Sequence, residues 1–136
     1  LQTRIIYLQG HNLYGLAMVD CIDALCDYLL GNLRLAAEKF TQVGQSEEYR
    51  NLGLDEDNQA AIMNILSSFK ADLYYEMNQM SQVEVALMDF KGGGNLAIPD
   101  MVIVGYIVQM RLATLHQDQS AIQTCLHQAH TRSSQW

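Results

Sequence analysis

YLLGNLRLAAEKF, residues 28–40, reads as the end of one helix, a two-residue break and the start of another. Gly31-Asn32 makes the break, because glycine takes the left-handed conformation that ends a helix without steric cost. Upstream, Leu13, Leu16, Ala17, Ile22, Leu25, Cys26 and Leu29 recur at mostly three- and four-residue steps, the period of a helix with one apolar face. Downstream, Leu33, Ala36, Ala37, Phe40 and Val43 share a face, and Gly44 closes that helix. Two apolar faces joined by so short a break bury each other by folding back, so residues 12–44 are expected to form an antiparallel helical hairpin.

The pattern recurs twice. Residues 45–55 are polar, contain Gly53 and read as a connecting loop. Asp55-Glu56-Asp57-Asn58 then puts acidic groups where free N–H groups and the positive dipole end of a helix need them. Ile62, Ile65, Leu66, Phe69, Leu73 and Met77 follow on one face, Asn78-Gln79 turns the chain, and Val83, Ala86, Leu87 and Phe90 continue until Gly92-Gly93-Gly94. This second hairpin covers 56–91. Pro99, whose missing N–H costs nothing in a first turn, opens a third over 98–131. Its first helix runs to about His116, Gln117-Asp118 turns it, and Ile122, Cys125, Leu126 and Ala129 line the second helix. The tail from Thr131 to Trp136 is expected to fray, and residues 1–11, broken by Gly10, to finish an earlier repeat.

Anchored on their turns, the hairpins superimpose. Ala36, Val83 and Ile122 are equivalent; so are Phe40, Leu87 and Leu126, and Val43, Phe90 and Ala129. Twelve residues before the first set stand Ala24, Ala71 and Met110, where a small residue lets two helices close up. The repeats are offset by 47 and 39 residues, which makes the array irregular. The expected fold is all-α: a right-handed α-solenoid of three degenerate tetratricopeptide-like antiparallel hairpins, each too apolar to stand alone and covered by its neighbour.

Composition narrows the function. The chain carries 8 Lys plus Arg against 15 Asp plus Glu, a formal charge of −7. A nucleic-acid face or a dock for anionic lipid needs a basic patch, so neither partner is expected for this segment. The longest apolar stretch, Met101 to Val108, is far below the ~20 residues of a membrane span. Cys21, Cys26 and Cys125 are odd in number, lack CxxC spacing and fall at apolar-periodic positions, as reduced buried cysteines do in a cytoplasmic protein. The seven methionines are scattered through several helices, which suits adaptable core filling. The chain opens at Leu1, as a fragment of something longer would.

Residues 28–40 also resemble the "LxGDLxxAExxF" hairpin in the tetratricopeptide regions of large LuxR-type transcriptional activators of the maltose-activator (MalT-like) kind. Ala71-Asp-Leu-Tyr-Tyr-Glu-Met-Asn-Gln-Met80 is similar to that family's "AEALYELNRL" segment, and Pro99-Asp100, Gly105 and Arg111 fall where it shows "LPDAxxxGxxxLAR". The likeness covers about residues 13–129. It implies a bacterial cytoplasmic regulator with a nucleotide-binding domain before the helical sensor and a helix-turn-helix after it. ATP and DNA binding would belong to those parts of the parent protein, since this chain carries no GxxxxGK[ST] and no basic recognition helix.

In such a solenoid the first helix of each hairpin lines a concave face. Counting from the shared small-residue position places Cys21, Leu25 and Tyr28 there, then Ser68, Asp72 and Tyr75, then Ile107, Arg111 and Thr114. Asp72 and Arg111 occupy one register in neighbouring repeats and are expected to approach each other, either as an anchor for a small molecule or peptide or as an ion pair orienting two helices. Tyr28, Tyr74 and Tyr75 offer flat contact area to a ligand or belong to the core. Lys91-Gly-Gly-Gly-Asn95 has its lysine before the glycines and reads as a linker rather than a phosphate loop; His127 and His130, one turn apart, lack a third metal ligand. No metal or other cofactor is expected, and no catalytic constellation is visible. The expected role is non-catalytic: sensing a small-molecule inducer or a protein partner on the concave face and passing a change of curvature to neighbouring domains of a regulator. The rivals are a scaffold that binds only proteins and an enzyme on a helical frame, and end faces left uncovered would let the chain self-associate.

Overall fold

The computed structural model describes residues 13–46, 56–92 and 99–133. The leading segment 1–11, the loop beyond Ser46, Gly93 to Ile98 and the tail from Ser134 lie outside the described residues. The described chain is all-α, with no strand: α1 (Leu13–Leu29), α2 (Leu33–Gln45), α3 (Glu56–Glu76), α4 (Met80–Met88), α5 (Pro99–Leu115) and α6 (Gln119–Ser133). α3 opens with Glu56 and Asp57 in its first turn, as the capping pattern requires.

The three turns are built alike. Gly31, Asn78 and Gln117 all have positive φ, at 81°, 57° and 56°. In the first turn Gly31 N–H donates to the Tyr28 carbonyl at 3.0 Å and Asn32 N–H to that of Asp27 at 2.9 Å. Asn78 and Gln79 repeat the pair on Tyr75 and Tyr74, and Gln117 and Asp118 repeat it on Thr114 and Ala113. Both bonds satisfy carbonyls a helix end leaves open. Asn32, Gln79 and Asp118 then accept the first N–H bonds of the following helices, from Ala36, Val83 and Ile122. Only Asp118 adds a side-chain cap, taking the Ala121 N–H on Oδ1 at 2.9 Å.

Packing follows chain order. α1 lies on α2 and α3, α3 also on α2, α4 and α5, and α5 on α6. α3 is therefore enclosed. From Ala61 to Leu73 its buried residues go right round the helix and include Asn64, Ser67 and Ser68 beside Ile65, Leu66 and Leu73. Phe69 stacks on Phe40 of α2 with centroids 5.9 Å apart and planes 2° from parallel, an arrangement that adds about 0.5–1.5 kcal/mol to simple burial. Asn64 and Ser68 are paired. Ser68 Oγ donates to the Asn64 carbonyl at 2.7 Å, and Asn64 Oδ1 takes the Lys91 N–H at 2.8 Å.

Several sequence expectations shift. In α1 the buried stripe is Leu16, Ala17, Cys21 and Ala24; Ile22, Cys26 and Leu29 face outward, Leu29 being 74% exposed. α4 stops at Met88, before Phe90, because the Phe90 N–H bonds back to Leu87 and Asn64 captures the next amide. Phe90 is nonetheless buried, edge-on to Tyr106 at 5.2 Å. α6 continues to Ser133, so Thr131 is helical. No methionine among the described side chains is fully buried, and Met63 and Met88 are exposed; Leu, Ile, Val, Phe and Ala fill the centre. Lys39 of α2 spans to Asp23 and Asp27 of α1, and this hydrogen bond, aided by one from Asn32, holds the Asp27 carboxyl below the usual range.

Gly105 of α5 packs tightly, for a Cβ there would lie 2.6 Å from the Phe90 ring and 2.8 Å from Ser68 Oγ of α3. Gly105→Ala is expected to lower unfolding stability in urea by about 1–3 kcal/mol through overpacking. At Gly44 the same addition meets only Leu66 Cδ1 at 3.7 Å, so Gly44→Ala should be neutral or stabilising by up to ~1 kcal/mol through helix propensity. Equal effects at the two positions would contradict this packing.

Candidate functional site

The C-terminal ends of α1, α3 and α5 bring together polar side chains from all three hairpins. Tyr28 Oη donates to Asp72 Oδ2 at 2.5 Å. Arg111 Nη1 donates to Asp72 Oδ1 at 3.2 Å and to Glu76 Oε1 at 3.3 Å. The guanidinium carbon of Arg111 lies 5.3 Å from the Tyr75 ring centroid, within cation–π range. Thus Asp72 and Arg111 do approach each other, and Asp72 is held from one side by Tyr28 of the first hairpin and from the other by Arg111 of the third.

The electrostatics fix the protonation of the Tyr28 hydroxyl. Tyr28 is held protonated well above the ordinary tyrosine range, first by burial, then by its bond to Asp72 and the charges of Asp72 and Glu76, with Arg111 opposing. It stays a neutral donor. Asp72 is largely covered, its side chain 15% exposed, whereas Arg111 at 44% and Glu76 at 48% face solvent. The outer pairs are therefore worth under about 1 kcal/mol each, and the Tyr28–Asp72 bond, being charge-assisted and shielded, about 1.5–3 kcal/mol. Arg111 uses Nη1 on the two carboxylates, and its other N–H groups have no acceptor among the described residues.

Not every expected residue reaches this face. Cys21 and Ser68 are 3% and 0% exposed and sit between packed helices, so neither can touch a partner. Leu25 is half-buried against the core beside Tyr28. Ile107 and Thr114 are exposed, Thr114 Oγ1 turning back to the Met110 carbonyl at 2.8 Å. Tyr74 and Tyr75 are half-buried at the seam between α3 and its neighbours. Glu76 was absent from the sequence reading; its place one turn after Asp72 was the available signal. His127 and His130 are exposed, and no metal-type cluster occurs among the described residues.

Clefts open elsewhere. One of about 420 Å³ lies beside Phe90, Tyr106 and His127, one of about 690 Å³ crosses the turns at Gly31 and Gln79, and one of about 170 Å³ lies between Phe40 and Lys70. None of these three reaches Asp72 or Arg111. In comparisons with protein-family models, curated proteins and solved structures, nothing matches the chain.

A double-mutant cycle in urea unfolding reads the central bond. Tyr28→Phe and Asp72→Ala should each cost about 1.5–3 kcal/mol, with a coupling above ~1 kcal/mol, while Arg111→Gln costs less than about 1 kcal/mol. Strict additivity of the first two would remove the bond. Thiol labelling reads the burial. Cys26 should react in the folded protein, while Cys21, whose thiol burial and then the Asp20 charge push up to about 12, and the buried Cys125 should wait for unfolding.

Proposed function

We propose that this chain is a non-catalytic binding module, a solenoid of three tetratricopeptide-like hairpins that takes a partner on the face carrying Tyr28, Asp72, Tyr75 and Arg111. The observation that carries the reading is the line Tyr28–Asp72–Arg111, which puts one side chain from each hairpin into a single hydrogen-bonded row. The matching turns at Gly31, Asn78 and Gln117 and the packing of each helix on near neighbours in chain order support the repeat architecture. A partner lying along that row would touch all three hairpins and favour one angle between them. Arg111 and Glu76 face solvent at the end of that row, which suits a peptide segment of a protein laid across it.

We further propose that the module serves as the sensor region of a LuxR-type, MalT-like cytoplasmic regulator, passing the change of angle to neighbouring domains. That context rests on the motifs at 28–40, 71–80 and 99–111 alone.

Thermal-shift screening of the folded chain against peptide and metabolite libraries tests the binding role, since a specific ligand raises the melting temperature by mass action. Hits on this face should lose at least about tenfold in affinity in Arg111→Gln, equivalent to about 1.4 kcal/mol. Hits that bind Arg111→Gln and Asp72→Asn as well as the parent would move the site elsewhere. Metabolite hits with that Arg111 dependence, and no peptide hits, would replace the peptide by an inducer.

A further inference from the structure

We propose that the cleft between the end of α4 and the α5–α6 hairpin is a second binding site, for a small organic oxyanion with a flat, uncharged body. Its volume, about 420 Å³, falls in the range of small-molecule sites, about 300–1,000 Å³, and exceeds what a bare inorganic ion would fill. The floor is aromatic. Phe90 and Tyr106 meet edge-to-face with planes 81° apart, and Tyr106 is fixed by its hydroxyl, which donates to the Gly92 carbonyl at 3.2 Å.

The rim supplies donors and positive charge. Among the described residues Lys91, Gln109, His127 and Gln128 line it and no Asp or Glu does, although the chain carries nearly two acidic residues for each basic one. Lys91 is held in place by its backbone, whose N–H is bound to the buried Asn64. Among the described residues its ammonium donates to the Met88 carbonyl alone, at 3.3 Å, leaving two N–H groups for a ligand. The Cys125 thiol donates to Gln109 Oε1 at 3.7 Å, which turns the amide so that its nitrogen, a donor, is the end without a partner among the described residues. A carboxylate or phosphate on Lys91 and the amide donors, with its body on the aromatic floor, matches this arrangement.

The site is independent of the Asp72 cluster. Gln109 and Arg111 are two residues apart on α5, about 200° round a helix, so they face opposite sides. A ligand here would instead wedge the segment after α4 against the α5–α6 hairpin.

Nuclear magnetic resonance titration of the whole chain with benzoate, phenyl phosphate, benzyl alcohol and benzylammonium tests the proposal. At least one of the two anions should shift amide signals around Lys91, Tyr106 and His127 saturably, and whichever binds more tightly identifies the head group. The alcohol and the cation should not. Combining Lys91→Met with His127→Gln should weaken the anion at least about tenfold while circular dichroism stays unchanged, and Arg111→Gln should leave it intact. Equal binding of benzylammonium, saturation by neither anion into tens of millimolar, or indifference to the double substitution would overturn it.

Discussion

α3 is the constraint on which the other five helices depend. A helix enclosed on nearly every side must either be apolar all round or pair each polar group it takes inside. α3 does both. Ile65, Leu66 and Leu73 supply apolar bulk, while Asn64 and Ser68 are paired. The Asn64 bond also reaches across to Lys91, so the polar residue that costs most to bury fixes where the chain goes after α4. Among the described side chains no buried polar atom lacks a partner, and the packing on both sides of α3 can therefore be tight.

Much of this was legible. Helices could be read because apolar residues recur at three- and four-residue steps, and turns because Gly31 and Asn78 are residues that enter the left-handed region cheaply. Gln117 does so at greater steric cost, and was readable as a turn only by analogy with the other two. What the period could not show was how many sides of a helix are covered. The sequence reading assigned α3 a single face, and the polar Asn64, Ser67 and Ser68 concealed that the opposite face is buried as well. In α1 the reverse occurs: Ile22 and Leu29 fit the period yet face outward, because α2 and α3 together cover only the stripe through Leu16 and Cys21.

The candidate site divides along the same line. Asp72 and Arg111 were found because equal registers in stacked hairpins face each other, a rule of geometry that needs no side-chain detail. Register alone does not tell whether a position lies in the seam between two helices or on the rim of that seam. Cys21 and Ser68 fall in the seam, Tyr28 and Tyr75 on its edge, and Glu76 joins from the next turn along. Gly105 shows why: α5 comes close enough to α3 that nothing larger than hydrogen fits there, and whatever α3 presents opposite is sealed.

The strength of the Tyr28–Asp72–Arg111 row bears on what it does. Apolar contacts such as Phe40 on Phe69 hold the hairpins together, and they are indifferent to small changes of angle because dispersion and burial have little directionality. A hydrogen bond of 2.5 Å between residues of adjacent hairpins is directional and marks one angle as preferred. Its net worth, about 1.5–3 kcal/mol, matches the 1–3 kcal/mol typical of coupling between sites. An interaction of that size is strong enough to set the resting arrangement. It is also weak enough for a partner that engages Arg111 or Glu76 to shift it. Under the proposed binding role, such a row would couple a partner on this face to the angle between hairpins while the apolar core beneath stays as it is.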